Sequence, residues 1–355
     1  MRYIGNKENI LENIYSILQS NNVSGKTFFD FFAGTTNVGR FFKSKKYQIF
    51  SSDILYLSYC LQKAYIENNE EQKFENLINN LPKQNSENLF QNPLEIVESY
   101  LTSLEGVEGF IYKNYTPSGT KELQQPRMYF IDENGKKIDA IRQQIENWKN
   151  EDLISESEYF ILLTCLIETI GFYSNIAGVY AAFHKHWDFR ALRPLELRTI
   201  QFVDNGKKNI VYNDDSMNLL DKIDVDILYL DPPYNERQYA PNYHILETIA
   251  KYDEPQLRGV TGMRDYSSQK SRFCNSTTAL EDLDEIAKTA KYKFLVLSYN
   301  SEGIMPSEKI IETLKQYGSV KLEQFENARF KSNNNGLART KKTVFEQLYI
   351  LKIEA

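Results

Sequence analysis

Histidine and cysteine are scarce in this chain, three of each among 355 residues. Cys60, Cys165 and Cys274 are scattered and fall in no metal-binding spacing, so neither a zinc module nor a disulfide framework is expected. His184 and His186 have no third His or Cys near them, and no metal site is expected there. No apolar signal region opens the sequence at Met1-Arg2-Tyr3-Ile4-Gly5, and no window is long and apolar enough for a membrane span. The expectation is a reduced, soluble, cytoplasmic protein. A G-x-G-x-x-G dinucleotide fingerprint, a phosphate loop and internal repeats are also missing. Nor is there an excess of positive charge. A net charge of −6 argues against a coat basic all over, while leaving room for local basic clusters that bind nucleic acid.

What is present is an ordinary globular balance, 25% charged and 41% hydrophobic, with length for one large α/β domain and a smaller inserted one. The stretch that organises the rest is Ile227-Leu228-Tyr229-Leu230-Asp231-Pro232-Pro233-Tyr234. Four apolar residues read as a buried parallel strand that two prolines stop. Open α/β sheets place their chemistry at the carboxyl ends of such strands. Each proline fixes φ and removes an N–H donor, so the Asp231 carboxylate and the Pro232 carbonyl stand as fixed acceptors beside the Tyr234 ring. Two acceptors next to an aromatic platform suit a flat ligand bearing an amino group. The bland alternative is a strand ending in a Pro-Pro turn.

Upstream, Phe28 to Phe32 runs into Ala33-Gly34-Thr35-Thr36 and then a helix, the first βα turn of a doubly wound sheet in which Gly34 lets backbone approach a ligand. Asp30 at the strand end favours a cationic or hydroxyl-rich ligand over a pyrophosphate. Tyr47 to Asp53 reads as a second strand, whose terminal acid either grips ribose hydroxyls or caps a helix. Arg2 to Lys7 precedes a helical face of Ile10, Ile14, Ile17 and Leu18; Gly5 and Lys7 can come close to a carboxylate there, or simply cap the helix. Beyond residue 60 the character changes. Residues 67–92 carry helical patches, 110–119 form a turn-rich loop, and helices are expected around Ile138–Trp148 and over 158–173. The tract from Phe183 to Arg193 interleaves cations with aromatics, as phosphate contact plus base stacking requires, though a solvated amphipathic face reads similarly.

The sheet resumes at Ile210–Ser216, a short strand expected beside the one leading to Asp231, with Asp215 facing the cofactor side. Asn235, Arg237, Gln238, Tyr239 and Asn242 form a polar, aromatic loop, and a helix is expected from Tyr243 to Tyr252. Residues 258–272, with Arg258, Arg264, Lys270 and Arg272, read as a mobile basic loop near the site. Residues 293–298 form another buried strand, a helix follows Pro306, and two last strands make a hairpin around a tip containing Arg329, Lys331, Arg339, Lys341 and Lys342.

In order, these motifs resemble the Dam-like, alpha-group adenine-N6 DNA methyltransferases: a Gly-Lys segment (Ile4-Gly5-Asn6-Lys7), a glycine loop (Asp30 to Gly34), an acid after the next strand (Asp53), a recognition insert, and Asp231-Pro232-Pro233-Tyr234. Asp215-Ser216-Met217 resembles the family's adenine-binding acid. Residues 114–117 and 183–197 of the insert resemble a subgroup found in restriction-modification systems. The resemblance implies a Rossmann-like methyltransferase sheet, mostly parallel with a terminal antiparallel hairpin, over 1–60 and 206–355. It implies a largely helical inserted target-recognition domain over 61–205. One departure is Thr36, where the family's second glycine is usual. If φ must be positive there, Thr strains the turn, and the loop is expected to be slightly rebuilt, with weaker cofactor binding.

By resemblance the cofactor is S-adenosylmethionine, held by Tyr3, Gly5, Asn6, Lys7, Asp30, Phe32, Ala33, Gly34, Asp53, Asp215 and Asp231. Lys7 would lie near its carboxylate and Asp30 near its amino group. The implied catalytic residues are Asp231, Pro232, Pro233 and Tyr234, acting on an adenine flipped out of duplex DNA. Lys185, His186, Arg190, Arg193, Arg237, Tyr239, Arg264, Lys270, Arg329 and Lys331 are the candidate DNA contacts. No metal or membrane is implied. A cognate restriction endonuclease would be a genetic rather than a physical partner, in a bacterial cytoplasm. The rival readings are a cytosine-N4 DNA or RNA adenine methyltransferase, and an inactive DNA-binding relative.

Overall fold

The computed structural model describes residues 5–82, 92–328 and 343–353. In chain order, α1 (Leu11–Ser20) leads to β1 (Thr27–Asp30), α2 (Asn37–Ser44), β2 (Gln48–Ser52) and α3 (Tyr56–Gln62). A helical run follows: α4 (Glu75–Asn80), α5 (Pro93–Ser103), α6 (Phe110–Tyr115), α7 (Asp132–Asn150) and α8 (Glu156–Tyr173). Next are β3 (Ile210–Tyr212), β4 (Asp224–Leu230), α9 (Ala240–Lys251), α10 (Ser276–Thr289), β5 (Lys291–Asn300), α11 (Ser307–Leu314), β6 (Ser319–Ala328) and β7 (Thr343–Lys352). None of the described helices is long and apolar enough to cross a membrane.

The strands form one sheet in the order β3-β2-β1-β4-β5-β7-β6. From β3 to β5 it is parallel, and β7 runs antiparallel to both β5 and β6. The expected mostly parallel sheet with a terminal hairpin is therefore present. Its centre is β1 beside β4, and the side chains of Phe28, Phe29 and Ile227 to Leu230 are all buried. That two-sided burial is why these strands read as continuous apolar runs rather than alternating ones. Phe28 stacks on Phe42 of α2 at 4.0 Å between ring centroids, which fixes the first helix against the sheet. Strand order reverses between β1 and β4, so their carboxyl ends open the crevice where such sheets bind ligands.

Two local expectations are corrected. The short strand at Ile210 pairs with β2, Val211 opposite Ser51, and not with the strand leading to Asp231. That strand, β4, already has β1 on one side and β5 on the other, so β3 takes the edge, where its three residues are only half-buried. The stretch 110–119, expected as turns, begins with a short helix. The Asp139 carboxylate from α7 accepts the amides of Ile111 and Tyr112, supplying from a distant part of the sequence the partners that a helix start lacks.

The chain divides into two compact units. The sheet unit holds Ile4–Gln62, Val203–Ala240 and Ser267–Ala355; the helical unit holds Lys63–Phe202 and Pro241–Tyr266. Residues 241–266 thus belong with the helices, although the motif order had left them with the catalytic part. The reason is packing by buried polar groups: Arg142 of α7 donates to the Ile249 and Ala250 carbonyls, and the Tyr115 hydroxyl donates to the Gly262 carbonyl. At the core of this unit α8 buries almost its whole surface from Tyr159 to Ile170, and a capping box between Ser155 and Glu158 begins it.

Candidate active site

The sheet unit gathers four acids at the carboxyl ends of its strands: Asp30 as the last residue of β1, Asp53 and Asp231 directly after β2 and β4, and Asp215 three residues beyond β3. Asp30 is still in register with Ser51 and Tyr229, so its backbone is held by strands on both sides. Asp30 is buried, 1% exposed, and its Oδ2 accepts the Gly39 amide of α2 at 3.1 Å. Its Oδ1 is buried with no hydrogen-bond partner among the described residues, although the Phe32 amide is close enough to favour the charged carboxylate. Burial, and then the neighbouring Asp231 charge, push the Asp30 carboxyl up to about 7. A buried bare oxygen is costly unless a ligand donor reaches it, so this position is built for an ammonium or amino group.

The loop after β1 is shaped by the acid after β2. The Asp53 carboxylate accepts the Gly34 amide at 2.8 Å and the Leu55 amide at 2.9 Å. Both contacts shape the loop. Gly34 takes φ +49°, and Thr36, directly before α2, takes φ +64°. A β-branched residue thus stands in the left-handed region at a cost on the order of 1–2 kcal/mol, its hydroxyl buried with no hydrogen-bond partner among the described residues. Phe32 is half-buried and Ala33 buried beside these turns. Asp215 caps the short helical turn that begins at Ser216, accepting the Met217 amide at 3.1 Å. The Ser216 hydroxyl donates to the Phe31 carbonyl at 2.5 Å, tying that turn to the first loop.

The Gly-Lys segment lies in the same unit. Gly5 has φ +78°, and a Cβ there would stand 3.0 Å from the Tyr239 hydroxyl, so only glycine fits. Asn6 accepts from Asn37 at 2.7 Å, joining this segment to the start of α2. The buried Lys7 ammonium points to the loop after β4, 3.2 Å from Asp231 Oδ1 and 2.6 Å from Glu346 Oε1. With two carboxylates in contact it is held as their counter-ion. Asp231 is pushed up to about 7 by burial, opposed by Lys7 and reinforced by Glu346. Pro232 and Pro233 are buried and Tyr234 half-buried, and the Tyr234 carbonyl accepts the Ile304 amide at 3.1 Å, which pins the far end of the loop.

Glu346 is the residue the sequence reading missed. It is 2% exposed and accepts from the Ser298 hydroxyl of β5 at 2.5 Å as well as from Lys7. Because β7 is antiparallel, its early residues lie beside the carboxyl end of β5, Glu346 opposite Asn300. The available signal was a Glu-Gln pair interrupting an otherwise apolar terminal strand, since a charge is rarely buried there without a partner.

The candidate DNA contacts separate into classes. In the helical unit, the tract after Phe183 has its backbone held by two buried asparagines. Asn175 donates to the His184 carbonyl and accepts the Asp188 amide; Asn134 donates to the Arg193 carbonyl and accepts the Leu195 amide. Lys185, His186 and Arg193 are exposed, as are Phe189 at 67% and Leu192 at 51%. The Arg193 guanidinium lies over the Phe189 ring at 5.5 Å, and Arg190 is forked onto Asp188. Arg264 is buried and bound through two nitrogens to Asp253, at 3.0 and 2.7 Å. Its loop is also not loose. Arg258 and Met263 pair as a bridge, and Arg127 donates to the Gly259 and Val260 carbonyls. In the sheet unit Arg237 and Lys270 are exposed and Tyr239 half-buried. Tyr3, Arg329 and Lys331 lie outside the described residues.

The chain matches the family model of the D12 class N6 adenine-specific DNA methyltransferases over residues 3–313. It is 43% identical over 319 residues to the type II methyltransferase M.FokI of Planomicrobium okeanokoites, an alignment covering 90% of this chain and 47% of that one. It is 37% identical over 359 residues to the modification methylase StsI of Streptococcus sanguinis, covering 99% and 52%. With the type II methyltransferase M.NlaIII of Neisseria lactamica it shares 38% over 358 residues, 99% of each. The chain therefore spans about half the length of the first two relatives and nearly all of the third.

Proposed function

Because this chain belongs to the D12 class of N6 adenine-specific DNA methyltransferases, we propose that it methylates the amino nitrogen of an adenine flipped from duplex DNA, using S-adenosylmethionine, as the modification half of a restriction-modification system in a bacterial cytoplasm. A cognate endonuclease would share its DNA sequence without touching it. The observation that carries the reading is the gathering of Asp30, Asp53, Asp215 and Asp231 at neighbouring strand ends, with one buried oxygen of Asp30 unpartnered.

The residues fit that cofactor. Asp30 would take the amino group of its amino-acid end, beside backbone from Phe32 to Gly34. Asp53 would hold the ribose hydroxyls, and Asp215 would accept from the adenine amino group. Gly5 and Asn6 would line the same end. Once bound, the cofactor supplies the methyl group. On the substrate side, Tyr234 stacks on the flipped base, while Asp231 and the Pro232 carbonyl accept hydrogen bonds from its amino group. Those bonds draw the nitrogen toward tetrahedral geometry and restore the lone pair that ring conjugation withdraws. Positioning does most of the work.

Lys185, His186, Arg193, Arg237 and Lys270 are the exposed candidates for the DNA face, with Arg190 contributing only if Asp188 releases it. Replacing Lys185 and Arg193 together with alanine is expected to weaken DNA binding about tenfold near physiological salt and to flatten its salt dependence by about two charges. Binding titrations at two salt concentrations check this, and equal affinities would remove the tract from the interface. The test of the whole reading is transfer of labelled methyl from S-adenosylmethionine to unmethylated genomic DNA, with nucleosides separated and sites sequenced. N6-methyladenine within one short sequence is expected. Label on cytosine would overturn the base assignment, and label on RNA alone the duplex.

A further inference from the structure

Glu346 has no part in the roles above, yet it is the most enclosed carboxylate touching them. Its Oε1 receives the Lys7 ammonium at 2.6 Å and the Ser298 hydroxyl at 2.5 Å. Lys7 stands between it and Asp231, 0.6 Å nearer to Glu346 (3.2 minus 2.6 Å). The charged and titratable groups around this point come from every neighbouring element. They are Lys7 before α1, Asp30 at the end of β1, Tyr229 of β4, Asp231, Tyr234 and Arg237 in the loop after β4, and Ser298 of β5. Among the described residues, Lys7 thus balances both carboxylates at contact distance.

A lysine shared in this way cannot fully neutralise either partner. Were Asp231 its only partner, Lys7 would close on it, stabilise its charge and leave it a poor acceptor for the substrate's amino hydrogens. We propose that Glu346 is a positioning residue for methyl transfer: it draws Lys7 away from Asp231, so that Asp231 remains basic enough to hold the amino group and receive the proton it sheds. This rests on the adenine methyltransferase reading. As the amino nitrogen's new N–C bond forms, the bond between the methyl group and the donor's sulfonium sulfur would break, its electron pair staying on sulfur, and the nitrogen sheds one proton. That proton passes to an Asp231 oxygen, leaving a neutral carboxyl, and water takes it afterwards. Glu346 touches neither substrate nor cofactor in this account, and acts through Lys7.

The test is Glu346→Gln, which keeps the shape and an oxygen for Ser298 and Lys7 but removes the charge. Single-turnover rates are recorded against pH at saturating S-adenosylmethionine, so that Asp30 does not limit through cofactor binding. The wild-type rate is expected to fall as pH drops through about 7, where Asp231 protonates. In Glu346→Gln that acid limb is expected to move down by about one pH unit, and the plateau rate to fall about tenfold, with KM for DNA and cofactor within about twofold. Glu346→Asp, which restores the charge, is expected to return the limb toward the wild-type pH. A second readout needs no catalysis. The melting temperature of the cofactor-free protein, followed from pH 5 to 8, is expected to fall less in Glu346→Gln, because Asp231 then titrates closer to its ordinary range.

An unmoved limb together with an unchanged Tm–pH curve would make Glu346 a packing residue and overturn the inference. Should Glu346→Gln fail to fold, Glu346→Asp still decides: a limb displaced as far as total charge loss would refute the charge argument, and a limb near wild type supports it. If the wild type itself transfers no methyl group to DNA, the functional reading fails instead, and the Tm–pH comparison still judges the Lys7–Glu346 coupling.

Discussion

Asp231→Ala is expected to slow methyl transfer by at least about a thousandfold while leaving the cofactor Kd within about threefold. The size follows from what the proposed mechanism would lose: one of two fixed acceptors for the amino group and the group that takes its proton, both removed by one truncation. The fold should tolerate the change, because Lys7 keeps Glu346 at 2.6 Å as its counter-ion and the loop keeps its two buried prolines and the Tyr234–Ile304 hydrogen bond. Rapid-quench transfer and equilibrium cofactor binding measure the two halves separately. Loss of cofactor binding as severe as the loss of transfer would show that Asp231 shapes the loop instead of working at the substrate.

Asp30→Asn should separate stability from function in opposite directions. The native Asp30 carboxyl stands near 7 because it is buried and close to Asp231, whereas an unfolded chain returns it to about 3.8. Between those values the native state binds the extra proton, so its contribution to stability is whole at low pH and is lost as pH rises through about 7. At pH 8 the wild type therefore carries a strained charge, on the order of a few kcal/mol. The asparagine removes it and still accepts the Gly39 amide. The cofactor-free variant is expected to melt several degrees higher than wild type at pH 8, by scanning calorimetry, with the gap closing toward pH 5. Its cofactor Kd should rise at least about a hundredfold, since the bare Oδ1 that awaits a donor has become a donor itself. A lower melting temperature at pH 8 would mean that Asp30 is paired in solution and not strained.

Much of this was written locally. Asp30 ends an apolar strand and Asp53 and Asp231 directly follow theirs, and a run that stops at an acid can be read without knowing the strand's neighbours. Glu346 could not be placed that way, because its nearness to Lys7 depends on β7 running antiparallel to β5, a pairing between distant segments. The edge position of β3 was hidden for the same reason: its sequence says strand, and nothing in it says which partner. Charge counting also stops short at Arg264. A basic loop looks like a phosphate binder until Asp253 is seen forked onto one of its cations. Thr36 shows the reverse case, in which the sequence correctly flagged a strained turn but not that the strain would be kept.

The two asparagines behind the Phe183 to Arg198 tract also bear on how target choice can change. Asn134 and Asn175 grip main-chain atoms, and the side chains of Lys185, His186, Phe189, Leu192 and Arg193 point away from them into solvent. Shape and content are thus written in different residues. The outward letters can be exchanged one at a time with little risk to folding, while the frame that displays them stays fixed. With the proposed DNA-contact role for this tract, a chain organised this way could drift from one recognition sequence to another without passing through an unfolded ancestor.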